Sequence, residues 1–177
     1  GWLLLSIFIL GIISIFAQYS SSGGVFDYHA KSHAIRFFVF FSLFLAVSLV
    51  QVNFWHQSTF FIYFIFLALL IAVKYFGLTS SGSQRWINLY IINLQPSELM
   101  KIGVILFLAK YYHRISSADV NRLRFLLFPF AIIMIPFLLV VTQPDLGTSI
   151  LILAGGVVVI WLAGVRIKFF AYSLILF

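Results

Sequence analysis

Short polar clusters separate long apolar runs along this chain. Six runs read as spans, at 2–17, 34–51, 59–77, 96–112, 125–142 and 147–164, and a seventh begins at 168. A hydrocarbon core about 30 Å thick takes about 20 helical residues, so the runs are of the length that crosses a bilayer, except the first, which is short as expected if its start was cut away. Within the runs apolar residues follow one another without alternation. That predicts helices rather than the strands of a transmembrane barrel. The expected fold is therefore all-α: a polytopic transmembrane helical bundle of six spans plus the start of a seventh.

Composition agrees with the pattern. The chain is 63% hydrophobic and 8% charged, against about 25% charged in soluble domains. Too few charges are present to cover a water-facing surface. There is no cysteine, which excludes disulfides and thiolate-bound metals. The net charge of +7 resembles a nucleic-acid footprint, but the bases sit at the ends of the runs. They are expected to anchor loops, with no nucleic-acid partner. The first run starts at Trp2 behind Gly1, and Phe177 lies inside an apolar run. Residues 1–177 are thus expected to be one membrane domain, cut from a longer protein at both ends. The first run lacks the basic start and small-residue cleavage site of a signal peptide.

The basic residues give an orientation. Lys110, Arg114, Arg122, Arg124, Arg166 and Lys168 fall on one side; Lys31, Arg36, Lys74, Arg85 and Lys101 fall on the other. The positive-inside rule makes the first side cytoplasmic. The connection 78–95 then lies outside. With Trp86 and Tyr90 suited to headgroup depth, it is expected to form a short interfacial segment.

Candidate chemistry collects at two signatures on that outer side. The chain has four acidic residues, and two of them sit in Gln95-Pro96-Ser97-Glu98 and Gln143-Pro144-Asp145-Leu146-Gly147-Thr148. Each signature opens an apolar run. Each sets a proline near the first helical position and an acid in the first turn, at the positive end of the helix dipole. Glu98 and Lys101 share a helix face, and Lys101 lies about one turn into the span, where a charge is costly unless paired, solvated or snorkelling. Two readings stand: a structural ion pair with a capping acid, or the wall of an outward-open cavity that holds an anionic headgroup. Asp145 has a similar choice. It is a helix-start acid, or a carboxylate that faces Lys101 or Arg85 across the cavity or helps to bind a divalent cation. Gly147 would allow close backbone approach, and Thr148 could bond to helix carbonyls. Arg85 beside Trp86 suits phosphate contact with ring stacking, or a plain interfacial anchor. His29 and His33 share a helical face without the acid of an H-E-x-x-H pattern. His56 and His113 stand alone at span ends. Gly155-Gly156 and Ala163-Gly164 are expected to permit close helix packing.

Taken together, Gly82-Ser83-Gln84-Arg85-Trp86, Gln95-Pro96-Ser97-Glu98-Leu99-Met100-Lys101 and Gln143-Pro144-Asp145-Leu146-Gly147-Thr148 resemble, in order, spacing and placement, the shape, elongation, division and sporulation (SEDS) family. The likeness is to its rod-shape branch first and its division branch second. Ser83 departs from it, where alanine is expected. The resemblance implies a fold of roughly ten transmembrane helices of about 20 residues each, of which this chain would be the N-terminal portion. It implies an enzyme of the bacterial cytoplasmic membrane, a peptidoglycan glycosyltransferase polymerising lipid II into glycan strands for elongation and cell shape. It further implies a class B penicillin-binding transpeptidase partner and a divalent cation, Mg or Mn, for which Asp145 is a candidate ligand. The implied substrate cavity comprises Arg85, Trp86, Gln95, Ser97, Glu98, Lys101, Gln143, Asp145 and Thr148. The family's proposed catalytic aspartate falls in a large outer loop beyond Phe177, so no catalytic residue is expected here and the chain alone is expected to be inactive. Polar groups at span ends equally suit a lipid II flippase or other transporter, or a non-catalytic scaffold of the cell-wall machinery.

Overall fold

A computed structural model describes residues 1–80, 83–88, 93–116 and 119–166. They fall into two compact units, Gly1–Gln51 and Val52–Phe177. The first unit is a helical hairpin of α1 (Trp2–Ser21) and α2 (Tyr28–Ser48). Gly23 and Gly24 turn the chain at φ of 73° and 78°, a region that favours glycine. Asp27 caps α2, its carboxylate accepting the Ala30 N–H at 2.7 Å. That hydrogen bond holds its carboxyl below the usual range. Gly11 leaves room for the Phe37 ring, and the Ser14 Oγ and His33 Nε2 lie 2.8 Å apart across the hairpin. His33 is thus engaged by Ser14 rather than sharing a ligand with His29. Most other side chains of the hairpin are exposed and apolar, as lipid-facing helices require.

The second unit contains α3 (Val52–Phe76), α4 (Pro96–His113), α5 (Leu123–Val141) and α6 (Leu146–Leu162). The helix α4 packs against α3, α5 and α6, and α5 packs also on α3 and α6. Tyr63, Leu70, Met100, Val104, Phe107, Leu108, Ile132, Ile133, Val140 and Ile152 form the core. Gly156 permits the closest approach, since a methyl there would overlap the Ile133 side chain. Gly155 makes only ordinary contact with Ile105, and Gly147 and Gly164 face open space. The close backbone approach expected at Gly147 and Gly164 is therefore not what they provide. Gly164 instead takes φ 94°, just beyond the helix end.

Two prolines inside α5 are matched by two tyrosines. A proline has no N–H, so the carbonyl four residues earlier loses its helical partner. Pro136 frees the Ile132 carbonyl, and the buried Tyr63 hydroxyl of α3 donates to it at 3.0 Å. Pro129 frees the Phe125 carbonyl, and Tyr111 of α4 donates to it at 3.4 Å. In lipid an orphaned carbonyl has no water to turn to, so neighbouring helices supply the missing donors.

Two helices start earlier than the apolar pattern suggests. The helix α2 begins at Tyr28 rather than 34, and α3 at Val52 rather than 59. Apolarity marks the hydrocarbon zone, whereas hydrogen bonding carries a helix past it through polar turns. Of the six helices described, α1, α2, α3 and α5 are each long and apolar enough to cross a membrane. The helix α6 is apolar but has 17 residues, and α4 carries Glu98, Lys101 and Lys110. The chain is a multi-pass membrane protein. The seventh run, from 168, lies outside the described residues.

The connection between α3 and α4, expected as a short interfacial segment, carries short strands. It folds as β1 (Leu78–Ser80), β2 (Ser83–Asn88) and β3 (Asn93–Leu94), antiparallel in that order. Leu78 stands opposite Trp86, and Ile87 opposite Leu94. Pairing strands satisfies backbone groups that would otherwise face a poorly hydrated interface. The strand β2 lies against α3 and α4, which carries Arg85 to the start of α4.

Candidate functional site

The site grows from the starts of two helices. Gln95 is the N-cap residue of α4 and Pro96 its first helical residue, where a missing N–H costs nothing. Asp145 is the N-cap of α6, accepting the Thr148 N–H at 3.2 Å. It therefore precedes the first turn expected to hold it, with Pro144 outside the helix. Thr148 contributes this backbone N–H rather than a side-chain bond to a carbonyl.

Asp145 joins the two signatures. Its Oδ2 accepts from Gln95 Nε2 at 2.9 Å, and its Oδ1 lies 3.8 Å from Arg85 Nη1. The Asp145 side chain is 9% exposed and that of Arg85 29%. A carboxylate so far out of water needs several donors, and truncating one partner of a buried charge pair costs about 3–5 kcal/mol. Here α4 and α6 each provide one donor, and β2 sets a guanidinium beside the carboxylate. Of the two partners weighed for Asp145, Arg85 is the one it faces. Lys101 turns to Glu98 instead, Nζ to Oε2 at 2.9 Å. That pair stays on α4, with Lys101 24% and Glu98 52% exposed.

The other expected residues separate from this node. Gln143 is buried and donates from Nε2 to the Leu70 carbonyl of α3 at 3.0 Å, fastening the α5–α6 turn to the core. Ser97 is buried in the first turn of α4. Trp86 is partly buried. Arg85 precedes it at the break in register between β1 and β2, where a bulge re-aims a side chain. Arg85, Gln95, Asp145 and Thr148 are thus one constellation, and Glu98–Lys101 is a second at the same helix start.

The residues do not fit a resident divalent cation at Asp145. Both carboxylate oxygens already accept from donors, and one lies beside a guanidinium. Mg or Mn asks for several oxygen ligands. Among the described residues no three His, Asp or Glu side chains converge.

Some residues escaped sequence reasoning. Tyr63 and Tyr111 look like ordinary aromatic positions, and only the two prolines in α5 hint that hydroxyls are needed. Lys110, read as a linker charge, is 6% exposed. His56 and His113, read as solitary, are in contact, with ring centroids 5.3 Å apart.

This fold defines a polytopic membrane protein with a polar node built where two of its helices begin. Comparison with known proteins narrows the class. The family model FTSW_RODA_SPOVE, described as cell cycle protein, matches residues 2–177. The chain is 40% identical over 117 residues to peptidoglycan glycosyltransferase MrdB of Escherichia coli K12, covering 66% of this chain and 31% of that one. It is 33% identical over 143 residues to a probable peptidoglycan glycosyltransferase FtsW of Buchnera aphidicola from Schizaphis graminum, covering 81% and 40%. The crystal structure of Thermus thermophilus rod shape determining protein RodA superposes with a TM-score of 0.79 at 23% identity, covering 99% of this chain and 59% of that one. The chain belongs to the FtsW/RodA/SpoVE family. It spans less than half the length of these two curated relatives.

Proposed function

We propose that the whole protein is a peptidoglycan glycosyltransferase of the bacterial cytoplasmic membrane, polymerising lipid II into glycan strands during elongation. The observation that carries this reading is the Asp145 node. It holds Arg85, partly exposed, and the helix start that supplies Gln95 to it also carries the Glu98–Lys101 pair. Glycosyl transfer from a lipid pyrophosphate needs a base near the acceptor hydroxyl and positive charge on the leaving group. Arg85 and Lys101 meet the second need. Asp145 and Glu98 fix their directions. None of the described residues is assigned as the base. A divalent cation would travel with the pyrophosphate oxygens rather than reside on Asp145. A class B penicillin-binding transpeptidase is the expected partner, in keeping with a fold shared with a chain from a peptidoglycan synthase complex, TM-score 0.82 at 22% identity.

The test is lipid II polymerisation by the full-length protein with its transpeptidase partner in proteoliposomes. Glu98→Gln and Lys101→Met should each cut the rate by about 10-fold or more, as loss of preorganised charge stabilisation does, with membrane abundance unchanged. Wild-type rates in both variants, or lost abundance without lost specific activity, would refute the reading.

A further inference from the structure

We propose that the C-terminal end of α4 and the N-terminal end of α3 form a site for the phosphate of an anionic phospholipid, built from Lys110, His56 and His113. The proposal starts from an uncompensated charge. Lys110 is 6% exposed. Its Nζ donates to the Gln57 carbonyl at 3.2 Å and sits 4.5 Å from the centroid of the Phe60 ring. These contacts satisfy one N–H and offer a π face, but neither supplies a negative charge.

The acids of this chain are spoken for. The chain has four, all among the described residues. Asp27 caps α2. Glu98 pairs with Lys101, Asp119 with Arg122, and Asp145 with Arg85. None reaches Lys110. A buried ammonium without a counter-ion is strongly disfavoured, and the carbonyl end of α4 offsets only part of that cost.

A second observation lies beside it. His56 Nε2 is buried without a hydrogen-bond partner. Its ring meets the exposed His113 ring edge-on, within electrostatic reach of Lys110, His113 and Arg114. In the tautomer that carries its proton on Nε2, the His56 ring offers an unpartnered N–H donor to an anion. Phosphate oxygens can then take charge-assisted bonds from Lys110 and both rings.

The surroundings favour a lipid as the carrier. Phe54, Phe60 and Phe128 are exposed apolar residues on the helices around the cluster, a surface for acyl chains. The same end carries Arg114, Arg122, Arg124 and Arg166, which the positive-inside rule places at the cytoplasmic leaflet. That leaflet is the anionic one, and basic pockets between helices there hold lipid headgroups.

The test uses the full-length protein in neutral detergent, melted with added phosphatidylglycerol, phosphatidylcholine or inorganic phosphate. Phosphatidylglycerol should raise Tm and phosphatidylcholine should not. Lys110→Gln should weaken the phosphatidylglycerol response about fivefold in apparent affinity, while Lys74→Gln at the other end of α3 should leave it unchanged. Should Lys110→Gln fail to fold, His56→Gln gives the same reading: a weakened response supports the site and an unchanged one overturns it. Equal stabilisation of the wild type by both lipids overturns the proposal, as the response would then not depend on an anionic headgroup. Equal stabilisation by inorganic phosphate overturns the lipid assignment.

Discussion

The Tyr63 hydroxyl should be coupled energetically to Pro136, although neither residue touches the polar node. Tyr63 is 1% exposed, and its hydroxyl is the donor to the Ile132 carbonyl at 3.0 Å. Tyr63→Phe leaves that carbonyl without a partner, because Pro136 offers no N–H. Leaving a buried acceptor unmade costs about 1–3 kcal/mol in soluble proteins, and interhelical hydrogen bonds within membranes average about 0.6 kcal/mol. A loss of about 1–2 kcal/mol is therefore expected. Pro136→Ala restores an in-helix N–H four residues on. Since a carbonyl has two lone pairs, the alanine should add little when Tyr63 is present and much when it is absent. The double variant should thus recover about 1 kcal/mol beyond the sum of the single effects. Reversible unfolding of the four full-length proteins in mixed detergent micelles measures the cycle. Additivity within about 0.5 kcal/mol would refute the claim that the tyrosine substitutes for the missing donor.

Three further outcomes follow from the same geometry. Asp27 has a carboxyl pKa lowered by the Ala30 N–H, so its contribution to α2 is present above the unfolded value and lost as pH falls through the lowered folded one. The protection factor of the Ala30 amide, its exchange corrected for the intrinsic pH dependence, should fall below about pH 4, and Asp27→Asn, which caps without titrating, should abolish that fall; an unchanged pH profile in the variant would contradict it. Gly156→Val should lower Tm by overpacking worth about 1–3 kcal/mol, because its side chain meets Ile133, whereas Gly155→Ala should be tolerated; equal effects would show that the helix contact is elsewhere. Gln95→Leu should destabilise the start of α4 by about 1–3 kcal/mol, since Asp145 Oδ2 loses its donor, and a Tm equal to wild type would count against the node.

The helices were legible because lipid imposes continuous apolarity, and every run within the described residues is a helix. What the pattern missed lies where lipid stops dictating. The polar starts of α2 and α3 read as linker, yet Asp27 caps one and the other carries Asn53, His56 and Gln57 in helical turns. That earlier start of α3 sets the Gln57 carbonyl beside Lys110 and converts an apparent loop charge into a buried one. The small sheet escaped notice because its strands are short, polar and Ser-rich, without the β-branched alternation that marks a strand. At the site, Glu98 with Lys101 was visible from spacing alone, since a helix brings residues three apart together. Gln95 with Asp145 was not, because fifty residues separate them. Gln143 shows the opposite failure: it matches Gln95 in sequence but points into the core at Leu70.

The central claim is that Asp145 serves by holding Arg85 at the head of α4. Asp145→Asn tests that role, because asparagine remains a good N-cap while the negative charge facing Arg85 and one of the two acceptor oxygens are lost. The decisive measurement is the lipid II polymerisation rate of full-length Asp145→Asn and Arg85→Gln, each normalised to folded protein in the membrane. Both should fall by a similar factor of about 10² at normal abundance, and the double variant should be no worse than either alone. Near wild-type polymerisation by Asp145→Asn, or effects that multiply in the double variant, would contradict the account.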